Sequence, residues 1–346
     1  VRLAPSLPLL AAARGRVEFT HEGFTLRGAA ARALGGDVAI DGGLGRDGVL
    51  RIAARGTARA DGLRASTEIP ALARVAAWLD GEAPYRVQVE SRGGQPPTIE
   101  VASDLLGMAV RLPAPLGKSA ADALPLRFAK TPLPAESGRG RDELVLELGD
   151  RVQARSAREF DGRTPRVRRG GIGVQAAAPW PAEGVAAVVT LREVDTAAWQ
   201  AVLDRVGADD PGAGGAASGY APTQVGVRID RLRADGRELT GLVAGATLAP
   251  GGGPWRITAA ADQLAGYAEW RSSTPSAPGG LRARLSRLVV PAADPASDES
   301  LLNRAPARMP ALDVVVERFE LAGKALGRLE VDAVNVPLAD GSGAHE

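Results

Sequence analysis

Most of the chain alternates apolar and polar residues with period two, the spacing of strands that keep one apolar face and one wet face. Val17, Phe19 and His21 show it, as do Tyr85, Val87 and Val89; Leu144, Leu146 and Leu148; Val225, Val227 and Ile229; and Leu329, Val331 and Ala333. Turn signals separate the runs, among them Asp41-Gly42-Gly43, Arg92-Gly93-Gly94, Asp235-Gly236 and the stretch from Pro250 to Gly253. The pattern predicts about twenty strands in meander order. Two segments switch to helical spacing. Leu72, Val75, Ala76 and Leu79 fall at i, i+3, i+4 and i+7 behind Pro70. Trp199, Val202, Leu203 and Val206 repeat that spacing behind Asp195, a suitable N-cap, until Gly207, with Trp199 read as a packing anchor. The expected fold is therefore mostly β, a long repetitive antiparallel sheet with two short amphipathic helices, near 70–80 and 195–206.

Stretches rich in Pro, Gly and Ser at 132–141, 207–222, 272–280 and 339–346 predict flexible connections. They divide the chain into an N-terminal β segment (1–136), a middle β segment ending in a Gly-rich linker (137–222) and C-terminal β repeats with a flexible tail (223–346). An internal repeat supports the last of these. At a spacing of 87, Ile229 to Leu232 maps onto Val316 to Phe319, and Gly236, Leu239, Leu242 and Ala246 map onto Gly323, Leu326, Leu329 and Ala333. A strand, a glycine turn and a returning strand would be used twice as a stackable unit.

Composition narrows the chemistry. Of 346 residues 45% are apolar and mean hydropathy is -0.06, which is neither a disordered nor a membrane-embedded chain. The 42 basic and 41 acidic residues leave a net charge of +1, and so no bulk attraction to nucleic acid. Without cysteine there is no disulfide, thiolate zinc site or Cys nucleophile, and two histidines, one of them His345 in a polar tail, cannot build a His-rich metal site. No apolar run approaches the roughly 20 residues of a membrane helix. Val1-Arg2-Leu3 carries no signal-peptide pattern, and the chain reads as part of something longer.

Individual motifs fail as catalytic or nucleotide sites. Gly43-Leu44-Gly45-Arg46-Asp47-Gly48 fits G-x-G-x-x-G, but Val49-Leu50-Arg51-Ile52 continues as strand where a phosphate-binding helix would have to begin, so a hairpin loop is expected. Gly117-Lys118-Ser119 is similar to the end of a P-loop, with Leu112 in place of the first glycine. His21 precedes Glu22 with no second histidine four residues on, and reads as a strand histidine. Asp209-Asp210 and Asp298-Glu299 lie in loop-like sequence as solvated charge. With no trio of nucleophile, base and orienting group, no catalytic residue, cofactor or metal is expected, and the chain is read as a non-enzyme. Seven arginines between Arg151 and Arg169 face only Glu159 and Asp161. Arg166, Arg168 and Arg169 are candidates for an anionic headgroup patch, against the alternative of a solvated strand face. Phe160 is the lone aromatic residue there, so nucleic acid is not an expected partner.

One stretch carries a family resemblance. Ser103-Asp104-Leu105-Leu106-Gly107, followed by Leu112-Pro113-Ala114-Pro115-Leu116-Gly117-Lys118, resembles a run found in the YhdP-type branch of the AsmA-like family, large envelope proteins of Gram-negative bacteria. Leu34-Gly35-Gly36, Arg169-Gly170 with Pro181 to Gly184 and Asp195 to Trp199, Gly266 to Trp270, and Pro310 to Asn335 are similar in the same order. The resemblance implies a sheet curled into an elongated U-shaped groove with an apolar concave face, in the periplasm, as part of a protein anchored in the inner membrane. It implies phospholipid acyl chains as partners, and contact with the inner and outer membranes through parts of the parent protein outside this chain. Val87, Val89, Ile99, Val101, Leu144 and Leu146 are the candidate lipid-lining residues, because alternation places them in phase on neighbouring strands. The alternative is a structural β-array of the envelope that holds nothing. Alternation looks the same whether apolar faces meet or bound an open channel.

Overall fold

Long period-two runs rich in Val, Ala and Leu have no interior partner along their own strand, so they are stabilised by pairing side by side. The computed structural model describes residues 8–67, 70–161, 164–209, 219–234, 236–273, 279–292, 311–337 and 343–345. Among the described residues it is mostly β, with 67% in strands, nineteen of which pair in long ladders, and three short α-helices. Two compact units divide between Gly184 and Val185, with Gly219 and Tyr220 returning to the first. The sequence-based boundaries at 136/137 and 222/223 fall in a hairpin turn and directly before a strand.

The first unit holds β1 (Ala11–Thr20), β2 (Gly23–Ala33), β3 (Gly36–Leu44), β4 (Val49–Arg59), α1 (Ala60–Arg64), α2 (Pro70–Ala76), β5 (Leu79–Arg92), β6 (Thr98–Ser103), β7 (Met108–Val110), β8 (Leu126–Glu136), β9 (Arg139–Leu148), β10 (Val152–Asp161) and β11 (Thr164–Val174). Its ladders are antiparallel, running β1 to β6 in chain order and then β8 to β11, while short β7 pairs with the start of β5. The G-x-G-x-x-G stretch is a hairpin: the Gly48 amide donates to the Gly45 carbonyl at 2.9 Å and the Val49 amide to the Asp47 carboxylate at 3.1 Å. His21 sits in the β1–β2 turn, 89% exposed, instead of on a strand. The 132–141 stretch, expected to be flexible, is the ordered end of the β8–β9 hairpin, turning at Ser137 and Gly138.

The second unit holds β12 (Gly184–Asp195), α3 (Thr196–Asp209), β13 (Gln224–Ala234), β14 (Arg237–Leu248), β15 (Trp255–Ala260), β16 (Leu264–Arg271), β17 (Gly280–Val290), β18 (Ala311–Leu321) and β19 (Lys324–Ala333). A separate two-stranded pairing joins β20 (Asn335–Pro337) to β21 (Gly343–His345). Here the expectation of an antiparallel sheet needs correction, because β12 pairs with β13, and β17 with β18, in parallel. A parallel neighbour obliges the chain to travel back the length of a strand, about 36 Å for eleven residues. The connections of residues 196–223, which include α3, and 291–310 are long enough to do so. Between these crossovers β13 to β17 form a five-stranded antiparallel meander. The sequence repeat coincides with the hairpins β13–β14 and β18–β19, each beginning at a crossover and turning at Gly236 (φ 70°) or Gly323 (φ 78°).

Helix boundaries differ from the periodicity in an instructive way. The first expected helix ends at Ala76, and Leu79, which fits i+7, instead opens β5; α1, five residues long, has no sequence signal. In α3 the Ala197 amide donates to the Asp195 carboxylate at 2.9 Å as an N-cap should, and the helix passes through Gly207 to Asp209. Trp199 is half-buried and Val202 buried, consistent with an anchoring face. Of the remaining expected flexible stretches, residues 210–218, 274–278 and 338–342 lie outside the described residues, as do Asp298 and Glu299.

Candidate functional site

Antiparallel pairing without slippage aligns side chains of one phase across many strands. In the first unit Ala29, Ile40, Ala54, Val87, Val101, Phe128, Leu146, Ala154 and Ile172 are successive register partners from β2 to β11, one apolar residue on each strand. Eight spacings of about 4.8 Å make this row about 38 Å long, measured along the sheet. The second unit repeats the device from β12 to β19 with Ala187, Val225, Ala246, Ile257, Ala268, Ala283, Val314 and Val331. A neighbouring row runs Val189, Val227, Ala244, Ala259, Gly266, Leu285, Val316 and Leu329.

The opposite face is polar. Arg256, Glu269, Arg282 and Asp313 are consecutive partners, with ion pairs of 3.8 Å (Arg256–Glu269) and 3.2 Å (Arg282–Asp313), and Arg284 reaches Asp313 at 2.7 Å. The Arg284 hydrogen bond holds the Asp313 carboxyl below its usual range. Each exposed pair contributes at most about 1 kcal/mol, so this ladder solubilises the face more than it stabilises the sheet.

The apolar rows are not a closed core. Val87, Val89, Val101, Phe128, Leu146, Ala154 and Ile172 are only half-buried, as are Val225, Ala246, Ile257 and Val314. The substantial strand-to-strand contacts within each unit are between ladder neighbours, and among the described residues the main contacts of the helices with strands are to β4, β5 and β13. Full burial occurs at single positions of the rows, among them Ile99, Ala187, Ala283 and Val316, and in two clusters. One cluster, Ala60, Leu63, Ala76, Leu79, Ala83 and Met108, lies where α1, α2 and β7 cover the ends of β4 and β5. Another, Ala29, Ala31, Ala33, Val38 and Ile40, lies on β2 and β3.

The six sequence-derived lining candidates come together on this face. Val87 opposes Val101 and Val89 opposes Ile99. Leu146 follows Val101 through Phe128, and Leu144 follows Ile99 through Lys130. Phe128 and Lys130 were missed, although both lie in phase with Leu126 on one alternating run. Asp142 and Arg158 were missed too: they are register partners on the same face, with Asp142 1% exposed. Arg158 donates to Asp142 from Nε at 2.8 Å and Nη2 at 2.6 Å, and from Nη1 to the Tyr220 hydroxyl at 2.9 Å. Burial opposes the Arg158 charge, but these hydrogen bonds raise its pKa above the ordinary value.

The three arginines proposed as a headgroup patch lie elsewhere, on β11 beside a bulge. Arg166 and Arg168 are exposed, with Arg168 3.4 Å from Glu159. Arg169 stacks on the Trp180 ring at 4.5 Å, as Arg155 does at 4.2 Å.

The stretch carrying the family resemblance builds one end of the first unit's sheet. The Ser103 hydroxyl donates to the Pro84 carbonyl at 2.7 Å and accepts the Leu105 amide at 3.0 Å, while the Leu106 amide donates to the Asp104 carboxylate at 3.0 Å. Lys118, buried, donates from Nζ to the carbonyls of Leu105, Met108 and Ser119. Burial lowers its pKa most, and Asp122 works the other way. A loop whose carbonyls converge on one ammonium needs a lysine there, which is a structural role with no phosphate contact.

Each unit thus defines an apolar surface of rows that run across its strands, with charge on the opposite face. The chain belongs to the YhdP family, whose model, described as YhdP protein, matches residues 1–339. No curated protein and no solved structure matches it. Family membership suggests a role related to lipid transport in the cell envelope. Among the described residues no helix is long and apolar enough to cross a membrane.

Proposed function

We propose that this chain is a periplasmic segment of a lipid conduit, in which phospholipid acyl chains lie on the apolar rows while moving between inner and outer membrane. The observation that carries the reading is that nine strands of the first unit and eight of the second each place an apolar residue in one row, and most of those residues are only half-buried. Water on such a face costs roughly 25 cal/mol per Å² of apolar surface, and each acyl CH₂ transferred onto it gains up to about 0.8 kcal/mol. The role is one of binding and passage, with no chemical step. Native mass spectrometry of the chain produced in a Gram-negative envelope tests it. Phospholipid adducts are expected. A lipid-free chain that also takes up none from phosphatidylethanolamine/phosphatidylglycerol vesicles would overturn the conduit and leave the envelope scaffold.

A further inference from the structure

The apolar floor of the first unit has a charged interruption. Lys130 lies between Ile99 and Leu144 in the second row, opposite both across the ladders, with its side chain 18% exposed. Its one charged neighbour is Asp142, whose carboxylate already receives two hydrogen bonds from Arg158. Lys130 Nζ stands 3.7 Å from that carboxylate, beyond hydrogen-bonding distance, and among the described residues it has no other polar partner. Glu143, the nearest carboxylate in sequence to Asp142, is in the opposite phase and pairs with Arg155 on the polar face. The cluster thus holds two cations against one anion, leaving a single positive charge among apolar side chains.

An uncompensated ammonium in such surroundings is costly and attracts one anionic partner. The Arg158–Asp142 pair is complete by itself, so the surplus belongs to Lys130. The geometry points to a subsite for the phosphate of a phospholipid, held by Lys130 beside Arg158, with the acyl chains lying over Val101, Phe128 and Leu146. A phosphodiester carries the one negative charge required, and the adjoining row supplies the apolar bed that a free anion would not use. Tyr220, hydrogen-bonded to Arg158 and 38% exposed, forms part of the polar margin of the subsite.

This inference rests on the conduit reading and is tested apart from it. The whole chain is titrated with dihexanoyl phosphatidylglycerol, with dihexanoylglycerol, which has the same tails and no phosphate, and with inorganic phosphate. The wild type should bind the phospholipid about tenfold more tightly than the diacylglycerol. Lys130→Met should abolish that preference and leave diacylglycerol binding unchanged, Lys130→Arg should retain it, and thermal melts should show that both variants fold. Equal binding of the two lipids by the wild type, or a preference that survives Lys130→Met, overturns the subsite while the conduit stands. Inorganic phosphate binding as tightly as the phospholipid makes it a free-anion site and also overturns the inference. Binding of neither lipid overturns the conduit and the subsite together.

Discussion

Replacing Val101 by Glu separates an open floor from a closed core. Val101 lies between Val87 and Phe128 in the first row and is only half-buried. On an open face the new carboxylate reaches water, and folding loses only part of a valine's burial, about 1 kcal/mol. For a unit of this size that lowers the melting temperature by about 2–4 °C. A covered face would have to take in an unpaired carboxylate at several kcal/mol, and melting would fall by about 10 °C or more. Val316→Glu is the internal standard, because Val316 belongs to a corresponding row but is fully covered, with 0% exposure. Lipid affinity should move in the opposite order. At Val101 the carboxylate would meet acyl chain, and displacing about three methylenes at about 0.8 kcal/mol each weakens binding by roughly 50-fold. Thermal melts followed by circular dichroism and titration with a fluorescent-tailed phospholipid supply both readings. A melting loss at Val101→Glu as large as that at Val316→Glu would refute the open face, and unchanged lipid affinity would refute its occupancy.

Two further outcomes test the scaffold around that face. A Cβ at Gly171 would stand 1.6 Å from the Pro179 carbonyl oxygen, so Gly171→Ala must displace the backbone that carries Trp180. It should cost about 2–3 kcal/mol and speed amide exchange over residues 176–183, and unchanged exchange there would contradict the close approach. Asp313, its pKa depressed by the Arg284 hydrogen bond and by Arg282, contributes stability above its unfolded pKa that is lost as pH falls through the lower folded value, below the ordinary 3.8. Carboxyl NMR titration of Arg284→Gln should show Asp313 moving back up toward 3.8, and an unmoved titration would show that Arg284 is not the cause.

Strand faces were legible because burial on one side imposes alternation, whatever the strand's neighbour. Val87, Val89, Ile99 and Val101 could therefore be assigned to one face before their pairing was known. The crossovers were not legible, because β12 and β17 alternate identically beside a parallel or an antiparallel partner. Leu79 satisfied helical and strand spacing together, and α1 is too short for any period to register. The charged cluster had a partial signal: Lys130 falls in phase with Phe128, Asp142 with Leu144, and Arg158 with Ala154. Each alone is indistinguishable in sequence from a charge on a wet strand face. Only register brings Asp142 opposite Arg158 and Lys130 near Asp142. The Ser103–Lys118 stretch was recognisable as a string, but its reason, three carbonyls turned onto one ammonium, depends on the fold of the loop.

Side-chain size along the rows favours a flexible occupant over a second protein layer. Stacked sheets lie about 10 Å apart, and that gap must be filled to crystal-like density by side chains from both faces. The second unit's rows offer Ala244, Ala259 and Gly266 in succession, and Ala246, Ala268 and Ala283 beside Ile257. A rigid opposing sheet would leave voids above these positions, each costing in proportion to its volume. An acyl chain has no fixed side-chain pattern to match and can settle into the low places. Larger residues border this stretch on one side, where Trp255 opposes Trp270 and continues to Leu281 and Leu312. A strip of small residues bordered by large ones, running across the strands, is the relief that would keep a chain on the floor while letting it advance from strand to strand.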